Sequence, residues 1–149
     1  MNNAKFSEIA AKDIDVVVQM MADFYAIDNY PFDVAVAKGL LMEFVENETL
    51  GKGWLIWNEG KPVGYVILTF VFSFEYKGRI AFMDELFIAP EARGKGIGKQ
   101  AVDFIAVEAK KHSVKIIYLE VENHNEAAKS LYLSKNYILH NRGLMKLVL

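Results

Sequence analysis

Apolar residues recur at helical spacing twice in the first third of the chain. Ile14, Val17, Val18, Met21, Phe24 and Tyr25 fall on one stripe of a helix that Asp13 can cap. Ala37, Leu40, Leu41, Phe44 and Val45 form the stripe of a second helix, which Asp33 can cap. Ahead of both, Phe6 to Ile9 predicts a short strand. The spacing then becomes that of strands: Trp54 to Trp57, Val63 to Glu75 and Arg79 to Ile88 read as a meander, with turns at Glu59-Gly60-Lys61-Pro62 and Lys77-Gly78. Helical spacing returns from Lys99 to Lys111, with Val102, Ile105, Ala106 and Ala109 inward. A strand from Lys115 to Val121 and a helix from about Asn125 to Lys135 follow. Tyr137 to His140 and Leu144 to Leu149 predict a closing hairpin around Asn141-Arg142-Gly143. This order predicts an α+β layer arrangement with a mixed sheet.

No linker or composition shift divides the 149 residues, so residues 1–149 are expected to be a single domain. A net charge of -2 without a basic stripe argues against a nucleic-acid partner. The absence of cysteine excludes disulfides, thiolate metal sites and acyl-cysteine intermediates. His112, His124 and His140 lack metal-ligand spacing, so no metal is expected. Met1-Asn2-Asn3-Ala4-Lys5 has no signal-peptide core, and the apolar run from Val63 to Phe74 is too short to span a bilayer. A cytoplasmic protein without a membrane partner is the expectation.

Chemistry enters with Arg93-Gly94-Lys95-Gly96-Ile97-Gly98, between the strand ending Leu86-Phe87-Ile88 and the helix from Lys99. Closely spaced glycines let successive N–H groups turn inward, and a helix N-terminus adds its positive end: a pyrophosphate cradle. A dinucleotide fingerprint fails because Lys99 or Ala101 occupies its third glycine position. A P-loop fails because Arg93 and Gln100 stand where Gly and Ser or Thr are needed.

The pattern R-x-x-G-x-G resembles the pyrophosphate loop of the GCN5-related N-acetyltransferase (GNAT) family. A second similar block is Asn125-Glu126-Ala127-Ala128-Lys129-Ser130-Leu131-Tyr132, against the family's N-x-x-A-x-x-L-Y. The resemblance implies the acyl-CoA N-acyltransferase fold, a twisted, mostly antiparallel sheet of about six to seven strands flanked by four helices. It implies acetyl-CoA as cosubstrate, acetyl transfer to a primary amine of a small molecule or peptide in a ternary complex, and a homodimer as one assembly open to the chain. It also assigns cofactor contacts to Leu86, Phe87, Ile88, Arg93, Gly94, Lys95, Gly96, Ile97, Gly98, Lys99, Asn125 and Ala128. A catalytically silent acyl-CoA sensor, and a domain binding another phosphorylated ligand, are the rival readings.

A primary amine of pKa near 10.4 is about 99.9% protonated at neutral pH, so attack needs a proton acceptor. Asp84 and Glu85 are the carboxylates nearest the cofactor strand. Neighbours on a strand face opposite ways unless a bulge re-aims them. By resemblance, the base position of histone-type members falls on Phe82, which cannot serve, and that of polyamine-type members on Asp84. Asp84 is therefore favoured, with Glu85 as the alternative. The resemblance also gives the Leu86 backbone the oxyanion, with a bulge there splaying the strand from its neighbour, and makes Tyr132 the general acid. Asn136-Tyr137 replaces the family's Gly-Phe, and Asn tolerates a left-handed backbone. Tyr25, Tyr30, Phe32 and Trp54, with Asp23, Asp28 and Asp33, are candidates for an acceptor pocket that favours cations.

Overall fold

The computed structural model describes residues 3–149. Five strands, β1 (Lys5–Glu8), β2 (Gly51–Asn58), β3 (Lys61–Ser73), β4 (Gly78–Ile88) and β5 (Ile117–Tyr118), lie in that order in one sheet. Pairing is antiparallel up to β4 and parallel between β4 and β5. Four helices accompany them: α1 (Ile14–Ile27), α2 (Val34–Glu46), α3 (Ile97–Lys111) and α4 (Glu126–Ser134).

Alternation along the strands sorts the layers. Val66 and Leu68 of β3 face one side and pack with Trp54, Met83 and the α3 residues Ile97, Ala101 and Ile105. Tyr65 and Ile67 face the other, against Phe87, the α1 residues Val17 and Val18, and Leu41 of α2. Leu55, Ile56 and Leu68 are at most 1% exposed, and burying such a side chain contributes about 1.5–3 kcal/mol. The sheet is therefore covered on both faces.

Several ends form as the residues dictate. Asp33 caps α2, its carboxylate accepting from the Val36 N–H at 3.0 Å. Glu59 and Gly60 take φ of 50° and 76°, the two positive values of a type I′ hairpin turn. Asn136 does adopt the left-handed conformation, φ 68°. The Tyr137 N–H then reaches the Tyr132 carbonyl at 3.1 Å and the Asn136 N–H that of Leu133 at 3.2 Å, closing α4 with a Schellman motif. The Tyr132 and Tyr137 rings, 5.7 Å apart, supply its apolar contact.

Other expectations need correction. Asp13 does not cap α1; it closes a 3-10 turn, and its carboxylate accepts from the Ala10 N–H at 2.9 Å. Leu40 is 61% exposed, because α2 buries a narrower stripe around Leu41. The closing hairpin is absent, so the sheet has five strands among the described residues rather than six or seven. No residue after Asn136 has a positive φ, so no two-residue I′ or II′ turn forms, and only a bend marks Asn141-Arg142. Arg142 instead pairs with Glu75 beside the β3–β4 turn, Nη1 to Oε1 at 3.0 Å.

Candidate active site

β4 leads into the glycine loop through a 3-10 turn at Pro90–Ala92, which the buried Ala92 anchors in the core. The Arg93 Nε donates to the Ile88 carbonyl at 2.8 Å, pulling the loop back over the strand end. That carbonyl is thus already engaged. Gly94 and Gly96 have φ of 75° and 77°, and a Cβ at either would meet nothing within 4 Å. Glycine is required there by backbone conformation and leaves open space beside the chain. Gly96 caps α3, whose first N–H groups have no partner within the helix and whose first turn carries no acidic residue.

Gly98 has a different reason: a Cβ there would lie 3.3 Å from Leu131 Cδ2, so the start of α3 packs on α4. Between them runs a groove of about 730 Å3, lined by Leu86–Ile88, Arg93, Gly94, Gly96–Gly98, Asn125, Ala128 and Tyr132. Lys95 and Lys99 are exposed and stand outside that lining, and the Phe87 ring is buried against Phe24 and Tyr65. Asn125 caps α4, its side chain accepting from the Ala128 N–H at 3.1 Å.

The groove enters the sheet where two strands part. β5 pairs with β4 only at Ala81 and Phe82, leaving the edge of β4 from Met83 onward without a strand partner on that side. The irregularity in β4 is not at Leu86, however. Ile67 pairs with Glu85 and Leu68 with Met83, so Asp84 is the extra residue of a bulge. That bulge turns both carboxylates toward the same space: Asp84 and Glu85 line a cavity of about 440 Å3 together with Tyr25, Leu86, Asn125 and Tyr132.

The two acids differ in environment. Glu85 accepts from Tyr25 Oη at 2.7 Å and from Tyr65 Oη at 2.6 Å, one phenol on each carboxylate oxygen. Burial raises its pKa, and the two phenols oppose that rise by favouring the anion. Asp84 makes no hydrogen bond among the described residues, and desolvation raises its pKa. Burial chiefly, with the neighbouring carboxylates, holds both phenols firmly protonated. Burial also pushes Tyr132 up to about 12.

A second cavity, about 340 Å3, opens from Asp84, Glu85 and Tyr25 toward the helices, walled by Met21, Phe32, Leu41, Phe44 and Ile67. Of the proposed acceptor residues, Tyr25, Phe32 and Asp33 line it, while Asp28 and Tyr30 border the first cavity. Tyr30 donates to Glu122 and His124 Nε2 lies 3.3 Å from Asp28, so the α1–α2 loop is tied to the β5–α4 loop. Trp54 is excluded: it is buried in the opposite layer with Phe104. Asp23 bonds Gln19 on the surface of α1. Sequence reasoning missed Tyr65, because nothing local marks a strand tyrosine as the partner of a carboxylate on the next strand.

Residues 19–136 match the acetyltransferase (GNAT) family, and the chain belongs to it. It is 33% identical over 78 residues to an uncharacterized N-acetyltransferase, YhfO, of Bacillus subtilis, the match covering 52% of each chain. Over 70 residues it is 33% identical to the thialysine N-epsilon-acetyltransferase of Bos taurus, 47% of this chain and 41% of that protein. The chain thus matches about half the length of these curated relatives. An integron cassette protein from a salt-marsh metagenome shares the fold with a TM-score of 0.88 at 27% identity, covering 97% of this chain and 90% of that one. A predicted acetyltransferase of Clostridium acetobutylicum, crystallised with acetyl-CoA, superposes with a TM-score of 0.82 at 16% identity, covering 97% and 96%. No described helix is long and apolar enough to cross a membrane, and no described cluster of side chains could hold a metal ion.

Proposed function

We propose that the chain is an acetyl-CoA-dependent N-acetyltransferase acting on a primary amine carried by an apolar body. The observation that carries this reading is continuity: the groove at the α3 N-terminus meets the Asp84–Glu85–Tyr132 cavity, which in turn meets the apolar cavity between the sheet and α1 and α2. The open space at Gly94 and Gly96 beside unpaired helix N–H groups suits a pyrophosphate. When bound, acetyl-CoA supplies an acyl group activated as a thioester.

The chain's own groups supply the rest. Asp84, free of hydrogen-bond partners and with a raised pKa, takes the ammonium proton directly or through water. Glu85, held by two phenols, contributes a fixed charge that orients the cation. The Leu86 N–H is the candidate donor to the thioester oxygen, worth about 3 kcal/mol if aligned. Full transfer from a phenol at about 12 to a thiolate of ordinary basicity is uphill by roughly 5 kcal/mol. Tyr132 therefore holds the departing sulfur by a hydrogen bond, and the proton reaches it through water. The amine nitrogen gains the acetyl carbon, the carbon–sulfur bond breaks, and the products are an amide and a free thiol.

The acceptor class follows from the walls. An amine on an aromatic or branched aliphatic body places its cation against Asp84 and Glu85 and its body between Met21, Phe32 and Phe44. Thiol release measured over a panel of amines tests this: apolar primary amines should show higher kcat/KM than polyamines or aminoglycosides. A preference for polycations would redirect the acceptor to the acidic side of the first cavity. No release with any amine, despite acetyl-CoA binding, would leave a sensing module.

A further inference from the structure

Two turns face each other at the entrance to the reaction cavity, and hydrogen-bonded side chains join them. The first closes α1. Asn29 takes φ 56°, the Tyr30 N–H reaches the Tyr25 carbonyl at 3.0 Å and the Asn29 N–H that of Ala26 at 3.3 Å, a Schellman ending that presents Asp28 and Tyr30. The second opens α4. The Asn125 N–H donates to the Glu122 carbonyl at 2.9 Å and Lys129 Nζ to that of Asn123 at 2.6 Å, so Glu122 and His124 also stand on a fixed turn. Between the turns Tyr30 Oη donates to Glu122, and His124 Nε2 lies 3.3 Å from Asp28 Oδ1. No main-chain hydrogen bond joins them among the described residues. The two pairs can therefore part without unwinding either helix.

Their place in the site gives the pairs a role. Phe24, Asp28, Leu86, Asn125 and Tyr132 line both the groove from the glycine loop and the Asp84–Glu85 cavity, so the passage between the two runs past them. α1 covers one face of the sheet, and Tyr132 of α4 packs into the layer on the other. A link between the ends of these helices thus spans the gap that β5 leaves along the edge of β4. An arm reaching from the glycine loop to Asp84 is then enclosed, by Leu86 on one side and by the two pairs on the other. We propose that Tyr30 and His124 are positioning residues: with Glu122 and Asp28 they form a strap over the arm of the cofactor, and coenzyme A leaves when the strap opens. The strap rests on the acetyl-CoA reading above. Exposed pairs of this kind are individually weak, so the strap opens readily and its effect is on a rate.

Stopped-flow fluorescence gives that rate, with the adenine of each ligand in its fluorescent etheno form and excess unlabelled ligand as the chase. The ligands are coenzyme A and 3′-phospho-ADP, which is the nucleotide end of the cofactor, pyrophosphate included, without the arm. Tyr30→Phe with His124→Ala should release coenzyme A roughly three- to tenfold faster than the parent, two weak pairs being lost. The same variant should release 3′-phospho-ADP at the parent rate. Glu122→Gln keeps an acceptor for Tyr30 and should stay close to the parent, whereas Glu122→Leu should speed coenzyme A release. Circular dichroism establishes that each variant is folded. Coenzyme A release at the parent rate from the double variant overturns the strap and leaves the acetyl-transfer reading standing. Equal acceleration of both ligands overturns it too, because the variants then act on the nucleotide end. A parent chain that binds neither ligand removes the acetyl-CoA reading and the strap with it.

Discussion

Replacing Tyr65 by Phe removes one hydroxyl and leaves the ring, its contacts with Phe87 and Phe24, and the strand register in place. Tyr65 is fully buried, and its Oη donates to Glu85 Oε1 at 2.6 Å. A hydrogen bond to a charged group contributes about 1.5–3 kcal/mol. For a chain of this size each kcal/mol moves Tm by about 2–4 °C, so a fall of about 3–12 °C follows. The sign of its pH dependence is fixed. The two phenols hold down a Glu85 pKa that burial raises, so removing one lets it rise further. A raised folded-state pKa means stability is highest with the carboxyl protonated and is lost as pH rises through that pKa. The variant loses more than the parent. Calorimetry at about pH 8 and about pH 4.5 should therefore show a large Tm gap at the higher pH that narrows at the lower one. An equal gap at both, or none at either, would refute the reasoning that Tyr65 acts on the Glu85 anion.

Asp84→Asn should depress turnover more at low pH than at high pH, where the amine already sheds its proton; by the same sign argument, thermal melts should show the variant more stable than the parent at neutral pH, because the desolvated anion is gone. Tyr132→Phe should lower kcat by about 100-fold, with acetyl-CoA affinity by calorimetry nearly unchanged; parent turnover would reduce Tyr132 to the Schellman contact with Tyr137. Gly96→Ala forces a side chain to φ 77°, so melts should show a loss of about 1–3 kcal/mol together with weaker coenzyme A binding. Unchanged affinity in the folded variant would place the pyrophosphate elsewhere.

The parts of the site legible in the sequence were those encoded locally. R-x-x-G-x-G announced a turning glycine loop ahead of a helix; of its two glycines Gly96 turns by a left-handed backbone while Gly98 lies within α3, and Gly94, outside the pattern, is left-handed too. Asn136 could be read as a helix terminator because its side chain tolerates αL, and it is one. Asp33 capped a helix as its position before an apolar stripe suggested. What failed depends on partners far along the chain. The bulge falls at Asp84 rather than Leu86 because register with β3 decides it, and no feature of β4 alone carries that register. The clamp on Glu85 comes from residues 20 and 60 positions away. The closing hairpin had good strand composition, but β-propensity reflects packing against neighbours more than an intrinsic preference, and Ile138, Leu139, Leu144, Met145, Leu147 and Val148 are largely exposed.

Acetyl transfer is tested most directly by following both products at once. The purified chain is mixed with acetyl-CoA bearing a deuterated acetyl group and an apolar primary amine, and free thiol and labelled amide are quantified by mass spectrometry. Thiol and amide should form in equal amounts at a rate proportional to enzyme, and Asp84→Asn should slow both together. Acetyl-CoA that binds yet yields no labelled amide, or thiol released without amide, would contradict the assignment.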